Sequence, residues 1–113
     1  KFKGKVPIDE FCQYSKNSNF HILVHQGKVY HAILNQTSTS NNNNKFYILQ
    51  IVQDSRKPQN CYFFTRWGRV GVPGQNACSS AIPISLAIRQ YMRKIYEKSH
   101  NGDYKEIKMD YGE

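Results

Sequence analysis

Short runs of alternating apolar and polar residues fill the chain up to about residue 67, and a single run of helical spacing follows. Phe20 to Gln26 sets Phe20, Ile22 and Val24 against His21, Leu23 and His25, the two-residue period of a strand. Gln26-Gly27 is a turn signal. Val29 to Asn35 continues with Tyr30, Ala32 and Leu34 on one side, so the two runs are predicted to pair as a hairpin. Gln36 to Asn44 reads as a polar loop ending in Asn41 to Asn44. Lys45 to Gln53 alternates Tyr47, Leu49 and Ile51 with Phe46, Ile48 and Gln50. After a turn-rich segment at 54–59, Asn60 to Trp67 is an aromatic-rich strand. Gly68, Gly71, Pro73 and Gly74 interrupt regular structure. Pro83 suits the first turn of a helix on which Ile84, Ala87, Ile88, Tyr91, Met92 and Ile95 share one face. Tyr104 to Tyr111 reads as a last strand or an extended tail. Residues 1–19 lack periodicity and read as a basic extended arm before one folded domain at 20–112. The predicted fold class is α+β: an antiparallel sheet of four to five strands with one amphipathic helix packed on one face.

Composition narrows the partners. The 113 residues carry 16 Lys and Arg against 8 Asp and Glu, a net charge of +8. Such an excess points to a polyanion. Nucleic acid ranks ahead of an anionic membrane surface, because no basic amphipathic helix exposes large apolar groups. No apolar run approaches the ~20 residues of a membrane span. Lys1-Phe2-Lys3-Gly4-Lys5 leads into Val6-Pro7 instead of an apolar segment, so no signal peptide is expected. Cys12, Cys61 and Cys78 are odd in number and lack paired spacing, which favours reduced structural thiols in an intracellular protein.

Catalytic constellations are not apparent. His21 and His25 would stand about 13 Å apart on a strand at ~3.3 Å per residue, and neither His31 nor His100 completes a metal-ligand pattern. No nucleophile elbow organises the serines, cysteines and histidines. The glycines at 68–74 have neither the spacing nor the lysine of a P-loop. No catalytic residue, metal or cofactor is assigned to this chain.

The informative stretch is Thr65-Arg66-Trp67-Gly68-Arg69-Val70-Gly71-Val72-Pro73-Gly74-Gln75. In extended backbone Trp67 and Arg69 project to one face and Arg66 to the other. Trp67 suits a core position or an aromatic platform flanked by cations. If 45–53 and 60–67 pair as a hairpin, Gln53 faces Asn60, Lys45 falls opposite Gly68, and Asn44 opposite Arg69, within a residue or two. The far end then gathers Asn43, Asn44, Lys45, Trp67 and Arg69, a plausible phosphate site.

At these residues the sequence resembles the WGR domain family, named for the tripeptide Trp67-Gly68-Arg69. Asn43-Asn44-Lys45-Phe46-Tyr47-Ile48-Leu49-Gln50 is similar to that family's first central strand. Val29 to Thr37 and Met109-Asp110-Tyr111-Gly112 look like the subgroup found in eukaryotic DNA-dependent poly(ADP-ribose) polymerases. The resemblance covers most of residues 4–112 and implies an antiparallel sheet with a helix. It implies a non-catalytic nuclear module, monomeric in isolation, that recognises DNA strand breaks near a 5′ phosphate. It also implies contact with the catalytic and regulatory domains of a parent polymerase, which itself would use NAD. DNA contact maps onto Asn44, Lys45, Trp67 and Arg69, and stacking onto Tyr104 through a match to a family Gly-Lys-Tyr stretch. Two departures bear on Tyr104: Asp103 replaces the lysine, and the family's Asn-x-Trp-x-x-Arg-x-x-Phe segment is missing or shortened after Asn101. Two other roles compete: an interdomain relay without direct DNA binding, and a general single-stranded nucleic acid or RNA binder.

Overall fold

One long hairpin organises the described residues: further strands extend its edges, and a helix and the N-terminal segment cover its two faces. The computed structural model describes residues 6–38 and 43–107. In chain order these form β1 (Phe20–Ile22), β2 (Val24–His25), β3 (Lys28–Val29), β4 (His31–Ser38), β5 (Asn43–Asp54), β6 (Lys57–Arg69), β7 (Gln75–Cys78), α1 (Ile84–Asn101) and β8 (Lys105–Glu106). The main sheet is antiparallel in the order β7-β6-β5-β4-β8, and β1 also pairs with β5. It thus has six strands, more than the expected four to five, because short strands extend both edges. The α+β class stands.

The N-terminal half pairs differently from the predicted hairpin at 20–35. β1 lies along the end of β5, Ile22 opposite Val52, while β4 lies along its earlier part, Ala32 opposite Leu49. Only β2 and β3 close on each other, around Gln26 (φ 51) and Gly27 (φ 79), which both take the left-handed conformation of a tight hairpin turn. The long strand β5 offers both runs a full ladder and a buried face, which neither offers the other. The predicted loop at 36–44 is also shorter: β4 runs to Ser38, β5 begins at Asn43, and 39–42 lie outside the described residues. Asparagine side chains do not prevent the backbone from completing a ladder.

Helix α1 covers one sheet face. Ala87 and Tyr91 are buried there against Tyr30, Leu34, Tyr47, Leu49, Ile51 and Cys61. Tyr91 meets Tyr30 edge-on at 5.2 Å. Met92, predicted for the core side, is 45% exposed, since the core stripe of α1 narrows to Ala87 and Tyr91 with Ile84, Ile88 and Ile95 beside them.

The opposite face is covered by the segment read from sequence as an extended arm. Residues 1–5 lie outside the described residues, but Val6 and Cys12 are buried with Ile22, Val52 and Phe64. Tyr14 stacks on Phe20 at 4.2 Å. The segment from residue 9 to 17 is turn-rich and shows no period, because its contacts come from successive turns and not from one regular face. Gln50, only 1% exposed, fastens it. Its Oε1 accepts from the Asp9 N–H at 2.9 Å, and its Nε2 lies 3.2 Å from the Pro7 carbonyl and 3.0 Å from His31 Nδ1.

Candidate nucleic-acid interface

The register of β5 against β6 decides what meets at the open end of the hairpin. Lys45 lies directly opposite Arg69, Phe46 opposite Gly68, and Tyr47 opposite Trp67. This is one residue from the alignment expected from sequence, because a register shift falls at Gln53/Asp54 near the turn. Like charges directly opposed on a sheet repel. Lys45 and Arg69 are both exposed, and neither forms an ion pair among the described residues.

Beside them stands an aromatic wall. Trp67 stacks on Tyr47 with ring centres 5.6 Å apart and planes inclined by 13°. Tyr104 meets Tyr47 edge-on at 6.0 Å, and Lys98 Nζ lies 4.9 Å above the Tyr47 ring. Burial pushes the Tyr47 phenol above its ordinary value, with nearby Lys94 and a hydrogen bond to Thr65 opposing the shift. Burial likewise raises Tyr104, and Tyr47 adds to it. Trp67 is half-buried: it packs on the helix-side core and keeps part of its ring accessible. The core reading of Trp67 therefore holds for the packed part of the ring.

The glycines explain the backbone here. A Cβ on Gly74 would lie 2.1 Å from the Trp67 carbonyl oxygen, and one on Gly68 would lie 2.9 Å from the Gly74 Cα. Gly74 also has φ +77. The chain after Arg69 turns back so tightly that β7 pairs with β6, Trp67 opposite Gln75. That hairpin includes Ala77 and Cys78, and Ile82 then bridges to Cys61 before α1.

The predicted site residues divide. Lys45, Trp67 and Arg69 lie on the helix side of the sheet with Tyr47, and Tyr104 reaches the same wall from the segment after α1. Asn44 alternates with Lys45, so it lies on the side of Phe46; its carbonyl accepts the Val70 N–H at 2.9 Å and closes the hairpin end. Asn43 opens β5 opposite Ser38. Lys94, Lys98 and Tyr47 were missed as site candidates. Lys94 and Lys98 are four apart on a helix, a sequence signal for one side, but only the packing of α1 shows which side.

Arg66 projects away from Arg69, as strand alternation requires. Its Nε lies 3.0 Å from Asp9 Oδ1 and its Nη2 lies 3.0 Å from Asp9 Oδ2, while Nη1 donates to the Pro73 carbonyl at 2.6 Å. The rings of Phe11 and Phe46 flank the guanidinium at 4.6 Å and 5.1 Å. Around it lies a shallow groove of about 500 Å³ that also includes Ile48, Val70 and Val72. No group of three or more potential metal ligands occurs among the described residues.

Comparison with known proteins places the chain in a family. The chain is 38% identical to poly(ADP-ribose) polymerase 2 of Arabidopsis thaliana over 97% of its own length and 19% of that protein. It is 34% identical to poly(ADP-ribose) polymerase 2 of Homo sapiens, over 96% of the chain and 21% of the relative. It is 36% identical to the human protein mono-ADP-ribosyltransferase PARP3 over 88% of the chain and 17% of the relative. The chain thus spans about a fifth of the length of these relatives and does not include their remaining four fifths. The WGR domain family matches residues 30–110, which take in the whole β4–β5–β6 unit, α1 and the Trp67-Gly68-Arg69 tripeptide, and on that match the chain belongs to the WGR domain family.

Proposed function

We propose that this domain binds the ends of broken double-stranded DNA, holds a terminal 5′ phosphate between Lys45 and Arg69, and relays binding to the rest of a nuclear poly(ADP-ribose) polymerase. The observation that carries this reading is the direct opposition of Lys45 and Arg69 at an exposed sheet end. Two like charges in register are a cost to the free domain, and an anion between them converts that cost into attraction. A terminal phosphate monoester carries about −1.5 to −2 charges, whereas a phosphate within a duplex carries one. It also offers an additional oxygen for charge-assisted bonds. Trp67, with Tyr47 and Tyr104 behind it, supplies a flat surface for the terminal sugar or base. Asn43 and Asn44 contact the backbone at the rim. NAD belongs to the catalytic region of the parent, and no residue of this chain is assigned to it.

The test compares two duplexes identical except for a 5′ phosphate or a 5′ hydroxyl, at moderate salt. Tighter binding of the phosphorylated duplex, abolished by Arg69→Ala, is expected. Equal affinity for both overturns end-phosphate recognition.

A second reading, a relay module that does not touch DNA, draws on the apolar groove around Phe11, Val70 and Val72, which are 42%, 56% and 51% exposed. That reading predicts no nucleic-acid binding at any salt concentration.

A further inference from the structure

The outward face of α1 carries a second set of residues suited to nucleic acid. Arg89, Met92, Arg93, Tyr96 and His100 are all exposed, and the pairs 89/92, 89/93, 92/96, 93/96 and 96/100 are three or four apart, a single stripe along the helix. From Arg89 to His100 the stripe runs about 16 Å at ~1.5 Å per residue. At its C-terminal end Tyr96 and His100 are already stacked, with ring centres 3.9 Å apart and planes inclined by 22°. His100 Nδ1 lies 3.2 Å from the Tyr96 carbonyl oxygen, which holds the imidazole in place. Tyr96 remains 61% exposed. A large ring held rigid and left open to water has no role in the core. Arg89 and Arg93 form no ion pair among the described residues, and the nearby Glu97 is engaged by Lys94 at 3.4 Å. The stripe is therefore cationic and aromatic, with Met92 its one large aliphatic group. That composition suits a chain of phosphates and bases better than an apolar protein surface. The last turn of α1 also joins it to the aromatic wall: Lys98 reaches Tyr47, and the Tyr104 N–H donates to the Lys98 carbonyl at 3.0 Å.

We propose that this stripe binds single-stranded nucleic acid and is placed to take an unpaired strand leaving the duplex end, with Tyr96 and His100 stacking a base and Arg89 and Arg93 contacting phosphates. The placement rests on the end-binding reading above; the stripe itself does not. The experiment measures binding of this chain to a blunt 5′-phosphorylated duplex, to the same duplex with a short unpaired thymidine extension on either strand, and to the extension alone. The extended duplex is expected to bind roughly fivefold tighter or more, the gain expected from one stacked base. Tyr96→Ala removes that gain and leaves blunt-duplex affinity unchanged, while Tyr96→Phe, which keeps the ring, retains it. His100→Ala, at another exposed position, reduces the gain. If the extension adds nothing, or if Tyr96→Ala weakens both duplexes equally, the stripe is overturned and the end reading stands. If the single strand binds through Tyr96 and the blunt duplex does not bind, the end reading falls and the stripe stands.

Discussion

Arg66 and Arg69 lie three residues apart on the same strand, and their surroundings differ in almost every respect. Arg66 is 14% exposed at the side chain, faces a buried carboxylate, and is flanked by two phenylalanine rings. Arg69 is exposed at the strand end and faces Lys45. Each of the three guanidinium nitrogens of the first has a partner within the fold. The second has its charge opposed and its donors open to solvent. One sheet thus uses the same residue type to fasten the N-terminal segment on one face and to leave an electropositive end on the other. A guanidinium is enclosed or left open to solvent according to what the fold brings against it.

The largest expected effect lies on the fastened side. Arg66→Ala leaves the Asp9 carboxylate, 7% exposed, without its ion-pair partner, and stability should fall by about 3 kcal/mol. Urea unfolding measures this. A variant of unchanged stability that no longer binds DNA would erase the distinction between the two arginines.

Trp67→Ala comes next and should register in both assays. The ring is half-buried on the core and half-open, so unfolding should cost about 2 kcal/mol, less than the ~3–5 of a fully buried aromatic. DNA binding should weaken by ~1–3 kcal/mol, measured under conditions where the variant is folded. Full binding by the folded variant would assign the ring to packing alone.

Arg69→Ala sharpens the comparison from the open side. Binding to phosphorylated ends should lose on the order of 1–2 kcal/mol, and the log–log salt slope should drop by about 0.9 for each phosphate contact removed. Stability should hold or rise slightly, since a like-charge opposition disappears. A loss of stability comparable to that of Arg66→Ala would show that Arg69 is also structural.

The smallest effect is a pH dependence confined to the fastened side. Burial lowers the His31 pKa below its ordinary value, against the opposing influence of Asp9. The neutral ring accepts from Gln50 Nε2, which also reaches Pro7. A group with a depressed folded pKa contributes stability that is present above its unfolded value near 6.5 and is lost as pH falls toward the folded one. Thermal unfolding should therefore shift downward as pH drops below about 6.5, and His31→Gln should flatten that shift. A pH dependence unchanged in His31→Gln would move it to another group.

Strands with one buried and one wetter face were legible in the sequence because alternation is a local property. Tyr47, Leu49 and Ile51 declare one side of β5 without knowledge of any partner. The tripeptide was legible for a similar reason, since a single tryptophan, a glycine and an arginine at a strand end stand out from their surroundings. The opposite projection of Arg66 and Arg69 followed from the two-residue period. The segment from residue 6 to 19 was not legible, since its burial comes from turns fastened by the distant side chains of Gln50 and Arg66. Nor was the true partner of β1, because two similar short strands competed for one long one.

Local pattern alone determined the α+β class, the long central hairpin, the helix at 84–101 and the basic charge of the molecule. Tertiary structure decided the rest: that Lys45 faces Arg69 and not Gly68, that Asn44 falls on the other side, and that Lys98 comes over Tyr47. The irregularity at Gln53/Asp54, where residues 58–60 of β6 have no partner on β5, sets the register of the whole ladder, and the placement of α1 depends on Ala87 and Tyr91 finding their places on the sheet. Both are outcomes of packing between distant segments, where contact energy is shared among many residues and no short stretch of sequence holds it.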